Sequence, residues 1–501
     1  MKTWKPYALS IMIWAILLMS FSAKAQEASL DFFHERRQQL IQQMEDGAIA
    51  VMMSAEKKIR SNDIHYPFRQ RSSFYYLTGY KHPESAFIIQ PNQENEFIMF
   101  LPSKDSIGVM WRQQEYGLTE AMKVFGADTA YDIEKFEKTF RQKLWSESIV
   151  YMDPNDQPLK DLFDKIQDKK LLVNSLDEIR NINNLINDMR LQKDSLEISQ
   201  MKKAIDITGQ AHLEAMKAVH PGMYEYEVEA LVEYVFQKNG ASDPAFSSIV
   251  GSGNNANTLH YMKNDRKMKA GELVLMDIGA EYNMYAADLT RTIPVDGEYS
   301  RKQEDIYQLV LKAIQKAAPE LESGKGIFEA HYKATDVIMK GLYELGLVTD
   351  PDSKWQRNFY IHYTASHWLG LDVHDLVPKK GLYGKGGIKV YQEPGVNSHI
   401  KGRILKPGMV FTFEPGIYLP ENGLERIRAL KGKKVPAEKI EAFLDEVGPV
   451  YRKYRGIGIR IEEDVLITED GHEVLSRQLP RSIDAIEKIM DQTNDYVSKD
   501  Q

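Results

Sequence analysis

Leu273 to Thr292 reads LVLMDIGAEYNMYAADLTRT. Two apolar, β-prone runs flank Glu281-Tyr282-Asn283-Met284, a pattern that predicts a hairpin. With the midpoint between Tyr282 and Asn283, Asp277 and Asp288 become cross-strand partners on one face. Directly opposed side chains have Cβ atoms roughly 4.5–5.5 Å apart, and like charges there repel. Two carboxylates so placed need a cation, a shared proton, or water around them. A solvated polar face with a slipped register also satisfies the pattern, so the rest of the chain must discriminate.

The first residues read as an export signal. Lys2 and Lys5 form a basic region, Ala8 to Phe21 is apolar, and Ala23-Lys24-Ala25 fits a cleavage site before Gln26. An uncleaved anchor is the alternative, but this run is short for a span of about 20 residues. Expected segments are 1–25 signal peptide, 26–188 N-terminal domain, 189–480 second domain, and 481–501 closing helix and tail. The expected location is periplasmic or secreted, with no membrane contact after cleavage. Loss of residues 1–25, with three lysines, takes the net charge from −8 to −11. An acidic surface argues against nucleic acid as a partner. The chain has no cysteine, which excludes disulfides, thiol catalysis and thiolate metal sites.

Strand patterns at 48–54, 85–90, 96–101, 148–152 and 171–173 alternate with helical patterns at 31–44, 133–145 and 156–169. That alternation predicts an α/β domain. After a boundary near Asp188 to Asp194 come long helices at 195–219 and 225–238. The hairpin, further helices at 303–316 and 330–345, and strands at 410–413 and 457–467 follow, an α+β texture. A helix is expected at 481–491.

Three segments besides the hairpin place titratable groups in apolar surroundings: SHWLGLDVHD with His367 and His374, MVFTFEPG with Glu414, and GIGIRIEEDVLIT with Arg460, Glu462 and Asp464. An unpaired carboxylate at the lip of an apolar strand is costly. Singly, each fits a half-solvated strand or loop. With Asp277 and Asp288 of the hairpin, Glu414, Glu462 and His367 offer four carboxylates and one imidazole. Such an oxygen-rich set suits Mn²⁺, with Co²⁺, Fe²⁺ or Zn²⁺ admissible. Five ligands rich in carboxylates suit two metal ions rather than one, and paired ions about 3.5–4 Å apart serve hydrolysis.

Asp277, Asp288, His367, Glu414 and Glu462 occur in MDIGAEYNMYAADLTRT, SHWLGLDVHD, PGMVFTFEPGIY and GIGIRIEEDVLIT. In order and motif the chain resembles the pita-bread metallopeptidases, in particular their aminopeptidase P (Xaa-Pro aminopeptidase) branch. YPFRQRSSFYYLTGY, RLQKDSLEI and PGMYEYEVEA extend the resemblance over nearly the whole chain. It implies a creatinase/ribonuclease H-like mixed sheet in the N-terminal domain and a pita-bread catalytic domain. It also implies hydrolysis of the bond between an N-terminal residue and a following proline, and a dimeric or tetrameric homo-oligomer. Asp277 would chelate one metal, Asp288 and Glu462 would bridge, and His367 and Glu414 would hold the second. Glu414 would also shuttle protons. His260 and His374 would face the peptide substrate, Arg460 would fix Glu462 or a neighbouring carboxylate, and Tyr418 would line the pocket. Thr290 and Arg291 would be supporting residues. A prolidase-like dipeptidase and a non-catalytic pita-bread binding module are the alternatives.

The chain departs from the pattern in four places. His362 and His367 are separated by four residues where relatives often have three, which leaves His362 without a role. Phe246 replaces a frequent Tyr. Trp111 is followed by RQQEYG. The segments 375–406 and 419–455 are long and are expected to shape or cover the substrate cleft, with surface decoration as the alternative.

Overall fold

The computed structural model describes residues 31–103, 116–168, 178–376, 402–432 and 435–492. The leader, the expected strand at 171–173, Trp111 and most of 375–406 lie outside the described residues. The chain forms two compact units, residues 1–190 and 191–501. Among the described residues, no helix is long and apolar enough to cross a membrane.

The first unit is built on a six-stranded sheet. Its central strand, Ala48–Met53, runs antiparallel to Ala86–Ile89 and parallel to Ile149–Met152, so the sheet is mixed as expected. The strands Ala86–Ile89 and Phe97–Leu101 pair antiparallel, and the turn between them has Asn92 at φ 63°. The helices Phe136–Leu144 and Gln157–Asp168 contribute Phe136, Phe140 and Phe163 to a core with Ile49, Val51, Ile88 and Phe100.

The second unit opens with the helix Ser195–Ala218, capped reciprocally by Asp194 and Glu197. This helix backs the hairpin. Thr208 Oγ1 accepts from Ala280 N (3.0 Å), and His212 Nε2 lies 3.0 Å from Leu289 O. Burial pushes the His212 imidazole down to about 3, so at neutral pH it is uncharged and can donate to that carbonyl.

The hairpin register differs from the expected one. Leu273–Ile278 pairs with Leu289–Pro294 so that Asp277 faces Thr290, not Asp288. The tip is a two-residue turn, Asn283-Met284, with φ of 49° and 75°. Positive φ at both central residues matches the right-handed twist of the strands. Continuing the register places Asp288 opposite Gly279, where both strands are interrupted. A Cβ on Gly279 would run into the Ala287 carbonyl oxygen and come within 2.8 Å of the Phe246 ring. Gly279→Ala is therefore expected to lower stability by at least ~2 kcal/mol. Thermal unfolding of chelator-treated protein checks this; an unchanged Tm would mean the strand crossing relaxes.

A second ladder breaks in the same manner. Val410–Phe413 pairs with Glu463–Thr468, and Gly416–Leu419 pairs with Ile457–Arg460. The single strand expected over 457–467 is thus two strands in two sheets. Both pairings share one register, and continuing it through the gap sets Glu414 opposite Glu462. Pro415, which has no N–H for a ladder, lies in the gap. The two hairpins therefore open where they carry acidic residues.

Candidate metal centre

The breaks bring Asp277, Asp288, Glu414 and Glu462 together, and the loop 366–375 adds His367. Ligand atoms of Asp288, His367 and Glu462 lie within 4.8 Å of one another. His367 Nε2 is 3.4 Å from Asp288 Oδ2 and 3.8 Å from Glu414 Oε1. Asp277 forms an ion pair with Arg460, so Arg460 steadies a neighbouring carboxylate rather than Glu462. Arg460 also donates to Thr290 Oγ1 (3.0 Å) and to Tyr418 OH (2.8 Å). Thr290 holds Glu462 twice: its Oγ1 donates to Glu462 Oε2 (2.7 Å) and its carbonyl accepts from Glu462 N (3.1 Å). Arg291 is buried against Glu463 (2.8 Å) and the Glu462 carbonyl (2.7 Å), which ties the two hairpins together.

Burial raises the Asp288 carboxyl well above the usual range, and the charges of Asp277, Asp464 and Glu414 raise it further. Glu462 is raised for the same reason, with Asp288 as its main neighbour. Glu414 is pushed up to about 7 by burial, against the pull of His367 and Arg460.

The His374 ring has His367 at 4.4 Å and His260 at 6.5 Å between centroids. Partial burial, with the rings of His367 and His260, lowers His374 to about 4. Lys193 and Asp375 form a buried ion pair (3.4 Å) that closes the loop carrying His367 and His374.

His362 is elsewhere: its ring packs on Phe359 (6.4 Å), and burial lowers its pKa. Tyr363 takes the place beside the cluster. Its hydroxyl donates to the Glu414 carbonyl (2.7 Å) and is 3.3 Å from Tyr418 OH. The spacing could have found it, since three residues separate Tyr363 from His367. Asp464 was visible as a charge without a role; buried, it accepts from Asp288 N (3.2 Å) and holds the hairpin break in place.

Residues 199–469 match metallopeptidase family M24, and residues 33–151 match the N-terminal domain of aminopeptidase P. The chain belongs to metallopeptidase family M24. It is 34% identical to the Xaa-Pro aminopeptidase of Haemophilus influenzae over 91% of this chain and 96% of that protein. It is 33% identical to the Xaa-Pro aminopeptidase of Escherichia coli over 93% and 98%. The structure of Pseudomonas aeruginosa aminopeptidase PepP is similar at a TM-score of 0.78 and 34% identity, covering 92% of this chain and 98% of that one.

M24 membership implies divalent metal ions, and the residues present fit them. Asp277 Oδ1 and Asp288 Oδ1 are buried without a hydrogen-bond partner. His367 Nδ1 lies 3.1 Å from the Trp368 carbonyl, which can only accept, so Nδ1 carries the ring proton. The lone pair on Nε2 then faces carboxylate oxygens. Acceptors converging on one another in a buried place call for a cation.

Proposed function

We propose that this M24 chain removes the N-terminal residue from peptides whose second residue is proline, using two divalent metal ions, with Mn²⁺ the best match to the donor set. The observation that carries the reading is the convergence of Asp288 and Glu462 with His367, ligand atoms within 4.8 Å of one another and Glu414 3.8 Å from His367 Nε2, in a chain similar to Xaa-Pro aminopeptidases over nearly its whole length. Bound metal ions would supply Lewis acidity and an activated water. Asp277, Asp288, His367, Glu414 and Glu462 would hold them.

The remaining chemistry belongs to side chains. The Glu414 carboxylate accepts a proton from the attacking water and returns it to the proline nitrogen as the C–N bond breaks. That nitrogen bears no hydrogen in the substrate, so peptidases that bind an N–H there fail. His374 is neutral at pH 7 and can donate a ring N–H to the developing oxyanion, as can His260. Arg460 keeps Asp277 oriented and is itself held by Tyr418. Export to the periplasm or outside the cell is part of the reading, supported by Lys2 to Ala25. A dimeric or tetrameric assembly rests on the family resemblance.

The test is hydrolysis of Xaa-Pro-Xaa tripeptides and Xaa-Pro dipeptides by Mn²⁺-loaded protein. Tripeptides are expected to be cleaved with the higher kcat/KM. A dipeptide preference would point to a prolidase instead.

A further inference from the structure

We propose that Glu225 is a positioning residue for His260, acting through the segment that carries it; the proposal rests on the aminopeptidase reading. Glu225 begins the helix Glu225–Lys238 and is fully buried. Its carboxylate accepts from five donor atoms. Oε1 receives Ser252 N (2.7 Å), Ser252 Oγ (2.7 Å) and Asn255 Nδ2 (3.1 Å). Oε2 receives Tyr261 OH (2.9 Å) and Arg266 N (3.0 Å). Arg266 closes the ring, donating from Nη1 to Ser252 Oγ (2.8 Å) and pairing with Glu272 (2.6 Å).

All the donors come from residues 252–266, the stretch that includes His260. Thr258 N also bonds to Asn255 O (2.9 Å). His260 therefore lies between Asn255 and Tyr261, and both end on the same carboxylate. The imidazole itself is exposed and makes no hydrogen bond among the described residues; its contact is the His374 ring at 6.5 Å. Its position is set by the backbone beneath it, and Glu225 sets that backbone. A loosely held donor loses much of its value, because catalytic groups must be placed to within about 0.5 Å.

A purely architectural Glu225 would also matter for folding, so stability alone does not separate the two roles. A kinetic double-mutant cycle does. Glu225→Gln, His260→Ala and the double variant are compared with wild type in metal-loaded form, with kcat and KM for a Xaa-Pro-Xaa tripeptide and metal content measured together. Glu225→Gln keeps the shape but turns an NH₂ toward donors. It is expected to lower kcat/KM about tenfold with metal content unchanged, and to add nothing in the His260→Ala background. Tyr261→Phe removes the hydroxyl that reaches Glu225 Oε2 (2.9 Å) and Asp265 Oδ1 (3.2 Å) and carries the same cycle if Glu225→Gln fails to fold; a roughly threefold loss that vanishes without His260 is expected. Independent, multiplying effects overturn the proposal, as does a silent Glu225→Gln with a silent Tyr261→Phe. A silent His260→Ala overturns both this proposal and the substrate-facing role of His260. Failure of wild type to cleave tripeptides instead sinks the aminopeptidase reading.

Discussion

Asp288→Asn should abolish both metal retention and tripeptide turnover. Asp288 is buried, with Oδ2 3.4 Å from His367 Nε2 and Oδ1 without a partner. An amide there removes one negative charge and offers an NH₂ donor where a cation needs an acceptor. A loss of at least 10³ in kcat/KM is expected, about 4 kcal/mol of transition-state stabilisation. Asp277→Asn should be milder in metal content: its carboxylate also serves Arg460, and it would ligate one ion rather than two. Elemental analysis after exposure to Mn²⁺ should find less than one equivalent on the first variant and about one on the second. Full retention by Asp288→Asn would remove Asp288 from the site. The same substitution should stabilise the chelated protein, since it relieves repulsion among buried carboxylates.

The second large effect is a pH dependence whose sign depends on metal. Glu414 has a folded pKa of about 7 against an ordinary value of 4.5. The folded metal-free protein therefore holds that proton more tightly than the unfolded chain. Its contribution to stability is fully present below about pH 4.5 and is lost as pH rises toward 7, by roughly 3 kcal/mol at most. Asp288 and Glu462 shift in the same direction and reinforce the loss. Buried His212 and His331, lowered to about 3 and about 4, contribute the opposite slope, because the unfolded chain takes up their protons first. Comparison with Glu414→Gln, a permanently uncharged mimic, cancels the histidines. Relative to that variant, metal-free wild type should lose stability between pH 4.5 and 7. With metal bound, protons compete with the ions and wild type should instead lose stability as pH falls. Denaturant unfolding at several pH values, with and without chelator, measures both slopes. A metal-free wild type that gains on Glu414→Gln as pH rises would contradict the electrostatics.

Much of this was legible in residue order. The apolar alternation predicted most strands, and the helical period predicted the long helices at 195–219 and 225–238. The five acidic and imidazole candidates were identifiable because each interrupts an apolar segment, where charge is expensive. Three features were not legible. The hairpin register depends on a turn with Met284 at φ 75°, and methionine carries no local preference for that conformation. The run 457–467 looked continuous, since alternation does not reveal where a ladder opens. The partners of Arg460 and Tyr363 come from segments distant in sequence.

The sequence by itself determined which groups could meet a metal: four carboxylates and a histidine, with no thiolate, in a fixed order along the chain. Only the tertiary structure decided how they meet. Asp277 and Asp288 converge although they are not cross-strand partners, because one hairpin breaks at Gly279 and the other at Pro415. Pattern reports which face a side chain prefers. Register, ladder breaks and the bonds that lock them, from Thr290 to Glu462 and from Glu225 to the His260 segment, arise from contacts among residues far apart in the chain.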